Sequence, residues 1–347
     1  MSEVLFRAAW ASPSNIALVK YWGKYGIQLP SNPSISFTLS ECRTESRLEL
    51  LPKSGEQQIE VFLDGEKKDS FVPKIEKFLQ RIAPEFDWLS EFNFRLHTRN
   101  TFPHSSGIAS SASGMSALAL IICDLHEQIT GERFSDFHRR ASHLARLGSG
   151  SACRSLYGGL VSWGEHAAIA GSSQDYGTPF AGNLHPVFQD FQDCILLVHQ
   201  GTKSVSSTVG HDLMNGHPFA EKRFELAGQN LASLLNILES GDLEAFTQLV
   251  ESEALMLHGL MMSSIPYFIL MKPNTLKIIE KIWDYRKQYG IPVLFTLDAG
   301  ANVHLLYPSS EKAKVEAWIE AELSGYCENK AYICDQVGKG PFRLNND

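Results

Sequence analysis

Strand-type residues dominate Ser36 to Leu51 and Gln58 to Leu63, and Asp64-Gly65 predicts a tight hairpin turn into a further strand. Pro73 to Ile82 puts a proline in the first turn of a helix. Phe92 to Thr98 alternates Phe, Phe and Leu with polar residues, the mark of a strand with one buried face. A stretch rich in Ser and Gly, Pro103 to Gly114, leads into an apolar helix from Met115 to Glu127. A second helix is predicted from Ser135 to Leu147 with Ser135 as its N-cap, followed by a strand from Leu156 to Trp163.

From Gly164 to Pro186 small residues replace large apolar ones, so this stretch reads as an exposed connection. Beyond it come a short strand at Asp193 to His199 and helical patterns at Pro218 to Glu239, Leu243 to Met262 and Asn274 to Gln288. Strands at Val293 to Leu297 and Val303 to Tyr307 flank a tight turn; a helix at Glu311 to Glu322 precedes a last strand at Ala331 to Asp335. Strands interleave with helices in both halves. The expectation is a two-lobed α+β enzyme with a cleft between the lobes, divided into residues 1–188 and 189–347.

Composition narrows the function. The chain has 347 residues, 31 Lys+Arg and 39 Asp+Glu, for a net charge of −8. That balance argues against a nucleic-acid binder, which needs clustered positive charge. It leaves room for a local basic pocket. The apolar run Ala117 to Cys123 is too short for a membrane span of about 20 residues, and the opening MSEVLFRAAWASPSN lacks the pattern of a secretory signal. Cys42, Cys123, Cys153, Cys194, Cys327 and Cys334 form no C-x-x-C pair, which suits reduced thiols in a cytoplasmic protein. The histidines do not cluster with them at zinc-ligand spacing.

Four segments carry candidate chemistry. Pro103 to Gly114 combines glycines, small hydroxyls and the start of a helix, whose unpaired N–H groups and dipole suit a phosphate chain. A solvated Ser-rich loop with Ser113 capping the helix is the alternative. Asn15 to Lys24 sets Lys20 and Lys24 four apart around Tyr21 and Trp22, either donors for an anionic tail or an amphipathic edge strand with exposed lysines. Gly148 to Ser155 carries Arg154, a planar fork of donors that matches a carboxylate, with Ser149 and Ser151 beside it. Asp298 ends an apolar strand before Ala299 and Gly300. It is either a turn former or a carboxylate that accepts a hydrogen bond from a substrate hydroxyl and aims it at a phosphate.

The pattern Pro103-x-x-x-Gly107-Ile-x-Ser110-Ser111-Ala112 resembles the phosphate-binding motif of the GHMP kinases. Asn15 to Lys24, Gly148 to Ser155, Thr296 to Asn302 and, less closely, Lys203 to Gly210 are similar to segments of the diphosphomevalonate decarboxylase family, in the family's order. The resemblance implies the GHMP kinase fold, with an N-terminal lobe like ribosomal protein S5 domain 2 and a ferredoxin-like C-terminal lobe. It implies ATP and Mg²⁺ as cofactors, mevalonate 5-diphosphate as substrate, isopentenyl diphosphate as product, and a homodimer. Asp298, Arg154 and Lys20 would be the catalytic set. Substrate would lie against Asn15, Tyr21, Trp22, Lys24, Ser149, Ser151, Arg154, Ser207 and Thr208, with Trp22 as a packing wall. Nucleotide would lie against Pro103, Gly107, Ala109, Ser110, Ser111, Ala112 and Ser113. No metal ligand is legible.

The chain departs from the family pattern at His104-Ser105-Ser106 (Thr-Ala-Ala is usual), at His211 (often Met) and at Ala301 (usually Pro). A decarboxylase of mevalonate 5-phosphate, a mevalonate 3-kinase and a non-catalytic ligand sensor on the same fold are the competing readings.

Overall fold

The computed structural model describes residues 3–103, 108–201, 205 and 207–345. The first lobe is a twisted sheet with helices on one face. Its strands are β1 (Phe6–Val19), β4 (Ser34–Pro52), β5 (Ile59–Leu63), β6 (Glu66–Lys67), β7 (Phe92–Asn100), β8 (Leu160–Trp163) and β9 (Thr178–Pro179); a small hairpin, β2 (Lys24–Tyr25) and β3 (Leu29–Pro30), follows β1. The helices are α1 (Val72–Ile82), α2 (Ser110–Thr130) and α3 (Phe137–Gly148). Their inner faces (Phe78, Leu118, Ile122 and Leu144 among them) close an apolar core on the sheet with Leu48, Leu50 and Phe94.

The second lobe carries β10 (Gln192–Leu196), β11 (Leu294–Thr296), β12 (Val303–Tyr307) and β13 (Tyr332–Gln336), paired in the order β11-β12-β10-β13. Its helices are α4 (Ser207–Asp212), α5 (Ala220–Ser240), α6 (Leu243–Ser263), α7 (Pro273–Tyr289) and α8 (Lys312–Trp318). A shared core joins the lobes: Leu18 of β1 and Phe37 of β4 pack in one cluster with Leu231 of α5, Phe246 of α6 and Leu306 of β12. The chain then returns to the first lobe, where β14 (Phe342–Arg343) pairs with β1. Asp335 adds a polar clamp at this seam. Its carboxylate accepts from the backbone N–H groups of Ser40, Glu41 and Cys42 at 2.7–2.9 Å.

Most predicted helices hold within two residues, and the Asp64-Gly65 turn joins β5 to β6 with both residues at positive φ. Four differences have physical causes. β1 is a full strand from Phe6, yet it shows no alternation because both faces are covered; its serines are satisfied internally, Ser12 by Ser116 and Ser14 by the Ile108 carbonyl. The N-cap of α3 is Asp136, not Ser135: its carboxylate accepts from the Arg139 N–H at 3.0 Å. The helix predicted from Met115 starts at Ser110, since the apolar run marks only its core-facing length. Residues 150–156 form a 3-10 turn, which shortens the strand predicted from Leu156 to Leu160–Trp163. The six cysteines are free thiols, and among the described residues no helix is long and apolar enough to cross a membrane.

Candidate active site

Between the lobes lies a cleft of about 190 Å³ into which β1, α2, the 3-10 turn, α4 and the β11–β12 turn all project. Among the described residues, Lys20, Lys24, Lys74 and Arg154 line it against a single carboxylate, Asp298. In a chain of net charge −8 this is a local excess of cationic side chains, the kind of lining that attracts anions.

Lys20 follows the end of β1 and is only 1% exposed. Its Nζ donates to Asp298 Oδ1 at 3.2 Å, while Asp298 keeps 26% of its side chain open to the cleft. Burial pushes the lysine pKa down, against the opposing pull of Asp298. Its backbone is pinned from behind. The fully buried Glu253 on α6 accepts from the Lys20 N–H at 2.8 Å, from both Arg223 nitrogens at 3.1 and 2.5 Å, and from Asn230 at 2.6 Å. Two helices of the second lobe therefore hold the end of the first strand. Asp298 is held through its carbonyl, which meets His258 Nε2 at 3.1 Å.

Arg154 is 3% exposed. It donates to Asn15 Oδ1 at 3.3 Å and to Ser34 Oγ, and its guanidinium lies 6.0 Å from the Trp163 ring centre. Among the described residues no carboxylate lies within ion-pair distance of it, and burial depresses its pKa. A buried charge is normally paired. This one is held by neutral groups and turned toward the cleft. Asn15 completes the cradle by donating to Ser155 Oγ and the Ser151 carbonyl. Gly150 is a steric requirement: a Cβ there would lie 2.6 Å from Trp163 Cη2 and 3.0 Å from the Tyr21 hydroxyl.

α2 begins after Ala109, which sits in the left-handed region at φ 42° with no side-chain cap on the helix. Its first turn thus presents backbone N–H groups and Ser111 to the cleft. Ser111 Oγ accepts from Lys74 Nζ at 2.6 Å and donates to Ser149 Oγ at 3.1 Å, linking α1, α2 and the arginine turn. Ser111 and Lys74 also line a second, more apolar pocket of about 260 Å³, with Ser110, Thr44, Thr98, Leu96 and Met115 on its walls.

The cleft brings together Asn15, Lys20, Tyr21, Trp22, Lys24, Ala109, Ser111, Ala112, Ser149, Ser151, Arg154, Ser207, Thr208 and Asp298. Ser110 faces the second pocket, whereas Pro103 and Ser113 line neither. Ser113 is turned into the sheet, 2.6 Å from Thr44 Oγ1. Gly107 lies outside the described residues, as do Lys203, Ser204 and Ser206 of the Lys203 to Gly210 segment. Sequence reasoning missed Lys74, Gln28 and Leu257. Nothing in the pattern of α1 marks Lys74, which reaches the site only through the packing of α1 beside α2.

The two α+β lobes, with a serine-rich helix start and a cation-lined cleft between them, match the GHMP kinase fold of solved mevalonate diphosphate decarboxylases. Residues 12–174 match the family described as diphosphomevalonate decarboxylase-like N-terminal domain, and residues 194–343 match the mevalonate 5-diphosphate decarboxylase C-terminal domain. The chain belongs to the diphosphomevalonate decarboxylase family. It is 28% identical to diphosphomevalonate decarboxylase mvd1 of Aspergillus fumigatus, over 92% of this chain and 81% of that one. It is also 28% identical to the diphosphomevalonate decarboxylase of Saccharomyces cerevisiae, over 91% and 81%. Among solved structures, a mevalonate diphosphate decarboxylase from Legionella pneumophila aligns with TM-score 0.80 and 29% identity, covering 95% of this chain and all of that one. The structure of MDDEF in complex with MVAPP, AMPPCP and magnesium aligns with TM-score 0.84 and 25% identity, covering 98% and 99%.

Proposed function

We propose that the chain catalyses the ATP-dependent decarboxylation of mevalonate 5-diphosphate to isopentenyl diphosphate, with release of ADP, phosphate and CO2. The observation that carries this reading is a buried guanidinium, Arg154, with no carboxylate at ion-pair distance among the described residues, opening on the same cleft as the Lys20–Asp298 pair. Such an arrangement holds a substrate carboxylate and a reacting hydroxyl side by side.

Arg154 grips the carboxylate at two points. Asp298 accepts the proton of the tertiary 3-hydroxyl and aims its oxygen at the γ-phosphorus of ATP. A new O–P bond forms as the bond to the β–γ bridging oxygen breaks, and ADP leaves with that electron pair. The tertiary hydroxyl, a poor leaving group, is now a phosphate ester. Phosphate departs from C3 with its C–O electrons, and the C–C bond to the carboxylate supplies the pair that forms the alkene as CO2 leaves. Lys24 and Tyr21 hold the diphosphate tail. The start of α2, with Ser111 and Lys74, holds the ATP phosphates where the two pockets meet, and the more apolar pocket takes the base. Bound Mg²⁺ neutralises phosphate charge. It prefers oxygen ligands and keeps several waters, which the Ser111 and Ser149 hydroxyls suit; among the described residues no trio of His, Cys, Asp or Glu gathers to hold it alone.

The test is ADP and CO2 measured together with mevalonate 5-diphosphate. One ADP per CO2 is expected, with loss of both in Asp298→Asn. CO2 from the 5-monophosphate and none from the diphosphate would reverse the substrate assignment; ADP without CO2 would make the chain a 3-kinase; binding without turnover would make it a sensor. The same reading carries a cytoplasmic homodimer of subunits divided near residue 188. The exposed Phe219, Ile265, Tyr267 and Ile269 offer apolar surface for such contact, and a monomer throughout the micromolar range in sedimentation would overturn the dimer.

A further inference from the structure

His211, on α4, packs its ring against both Tyr21 and Trp22, with 4.4 Å between ring centres in each case. The Gly23 N–H donates to its Nδ1 at 3.0 Å. A neutral imidazole that accepts at Nδ1 carries its proton at Nε2, so this backbone contact sets the tautomer. Burial, with Lys24 nearby, pushes the pKa down to about 3. The ring is therefore uncharged near neutral pH and is no proton acceptor there. His211 lines the cleft beside Tyr21, Lys24, Ser207 and Thr208. Among the described residues its Nε2 meets no hydrogen-bond partner. The close packing depends on the preceding glycine: a Cβ at Gly210 would lie 2.5 Å from Trp22 Cζ2.

A neutral N–H donor locked in one tautomer, clamped by two aromatic rings and set beside a lysine in a cation-lined cleft, has the chemistry of an anion ligand. We propose that His211 is a specificity-determining residue whose Nε2–H donates to the terminal phosphate oxygens of the substrate tail, next to the Lys24 ammonium. The assignment of that tail rests on the function proposed above; the donor itself does not. Hydrogen bonds to a charged group are the strong ones, and a thioether in this place offers no N–H.

The experiment compares wild type, His211→Met and His211→Gln in two assays: calorimetric binding of inorganic pyrophosphate, and steady-state kinetics with mevalonate 5-diphosphate. His211→Met is expected to weaken pyrophosphate binding and raise KM for the diphosphate by about ten- to a hundred-fold, with kcat and KM for ATP changed far less. The amide of His211→Gln restores a donor and recovers most of the loss. Pyrophosphate bound equally well by His211→Met would overturn the assignment; so would a Gln variant as weak as the Met variant, since that marks a packing role. In wild type, the Nε2–H proton resonance should move on addition of pyrophosphate; an unmoved resonance also refutes it, without any variant. Wild-type protein that binds pyrophosphate through His211 yet releases no CO2 would sink the decarboxylase reading while leaving this one standing.

Discussion

Replacing Arg154 by methionine sets two opposing energies against each other. The guanidinium is 3% exposed, donates to Asn15 at 3.3 Å and to Ser34, and has no carboxylate at ion-pair distance among the described residues. Holding an unpaired charge out of water costs several kcal/mol even after relaxation. Methionine fills a similar length with apolar atoms and adapts its shape. On the other side, Asn15 Oδ1 is left without its donor at about 1–3 kcal/mol, and a cation–π contact with Trp163 at 6.0 Å contributes about 0.5–1 kcal/mol. Ser34 keeps the Trp163 carbonyl as acceptor at 3.4 Å. The desolvation cost is the larger, so the ligand-free Arg154→Met variant should be more stable than wild type by about 1–2 kcal/mol. Turnover should fall by about 100- to 10 000-fold, the value of two charge-assisted hydrogen bonds to the reacting carboxylate. Urea unfolding at unchanged m-value reads the first effect and kcat/KM the second. Mevalonate 5-diphosphate should raise the unfolding midpoint of wild type far more than that of the variant. A variant less stable than wild type by more than about 1 kcal/mol would show Arg154 to be a structural strut, not a group reserved for a ligand.

Three further outcomes test other parts of the reasoning. Glu253→Gln leaves Arg223 buried without its counter-charge and should lower stability by about 3–5 kcal/mol, with Arg223→Met in the same chain recovering most of it; a loss below about 1 kcal/mol would show that the pair does not hold the end of β1. Gly150→Ala drives a Cβ to 2.6 Å from the buried Trp163; it should lower kcat/KM for the acid substrate while leaving ATP affinity intact, and unchanged kinetics would contradict the packing of that turn. His211 binds its proton with a pKa near 6.5 when unfolded and about 3 when folded. The unfolded chain therefore takes up the extra proton between those values, and stability falls as pH drops through the window. Between pH 7 and pH 5 wild type should lose about 2 kcal/mol relative to His211→Met; parallel stability curves for the two proteins would refute it.

Local pattern and chemistry were legible along the chain. The alternation of Phe92 to Thr98, the Asp64-Gly65 turn and the apolar run of α2 each depend on residues within one element, so periodicity exposes them. The glycine–serine and arginine segments were legible for a related reason, because residue type limits what a short loop can bind. The sequence by itself thus determined the α+β class and a set of groups suited to phosphate and carboxylate. Other features existed only once the chain closed. β1 lost its alternation because packing covers both its faces, and Asp136 took the cap predicted for Ser135 because the helix begins one residue later. Lys20, 278 residues from Asp298, became a buried partner where exposure was one of two readings. Lys74 and the donor face of His211 likewise depend on neighbours supplied from distant segments. Charge burial and hydrogen-bond saturation are properties of the space around a side chain, and only the folded lobes define that space.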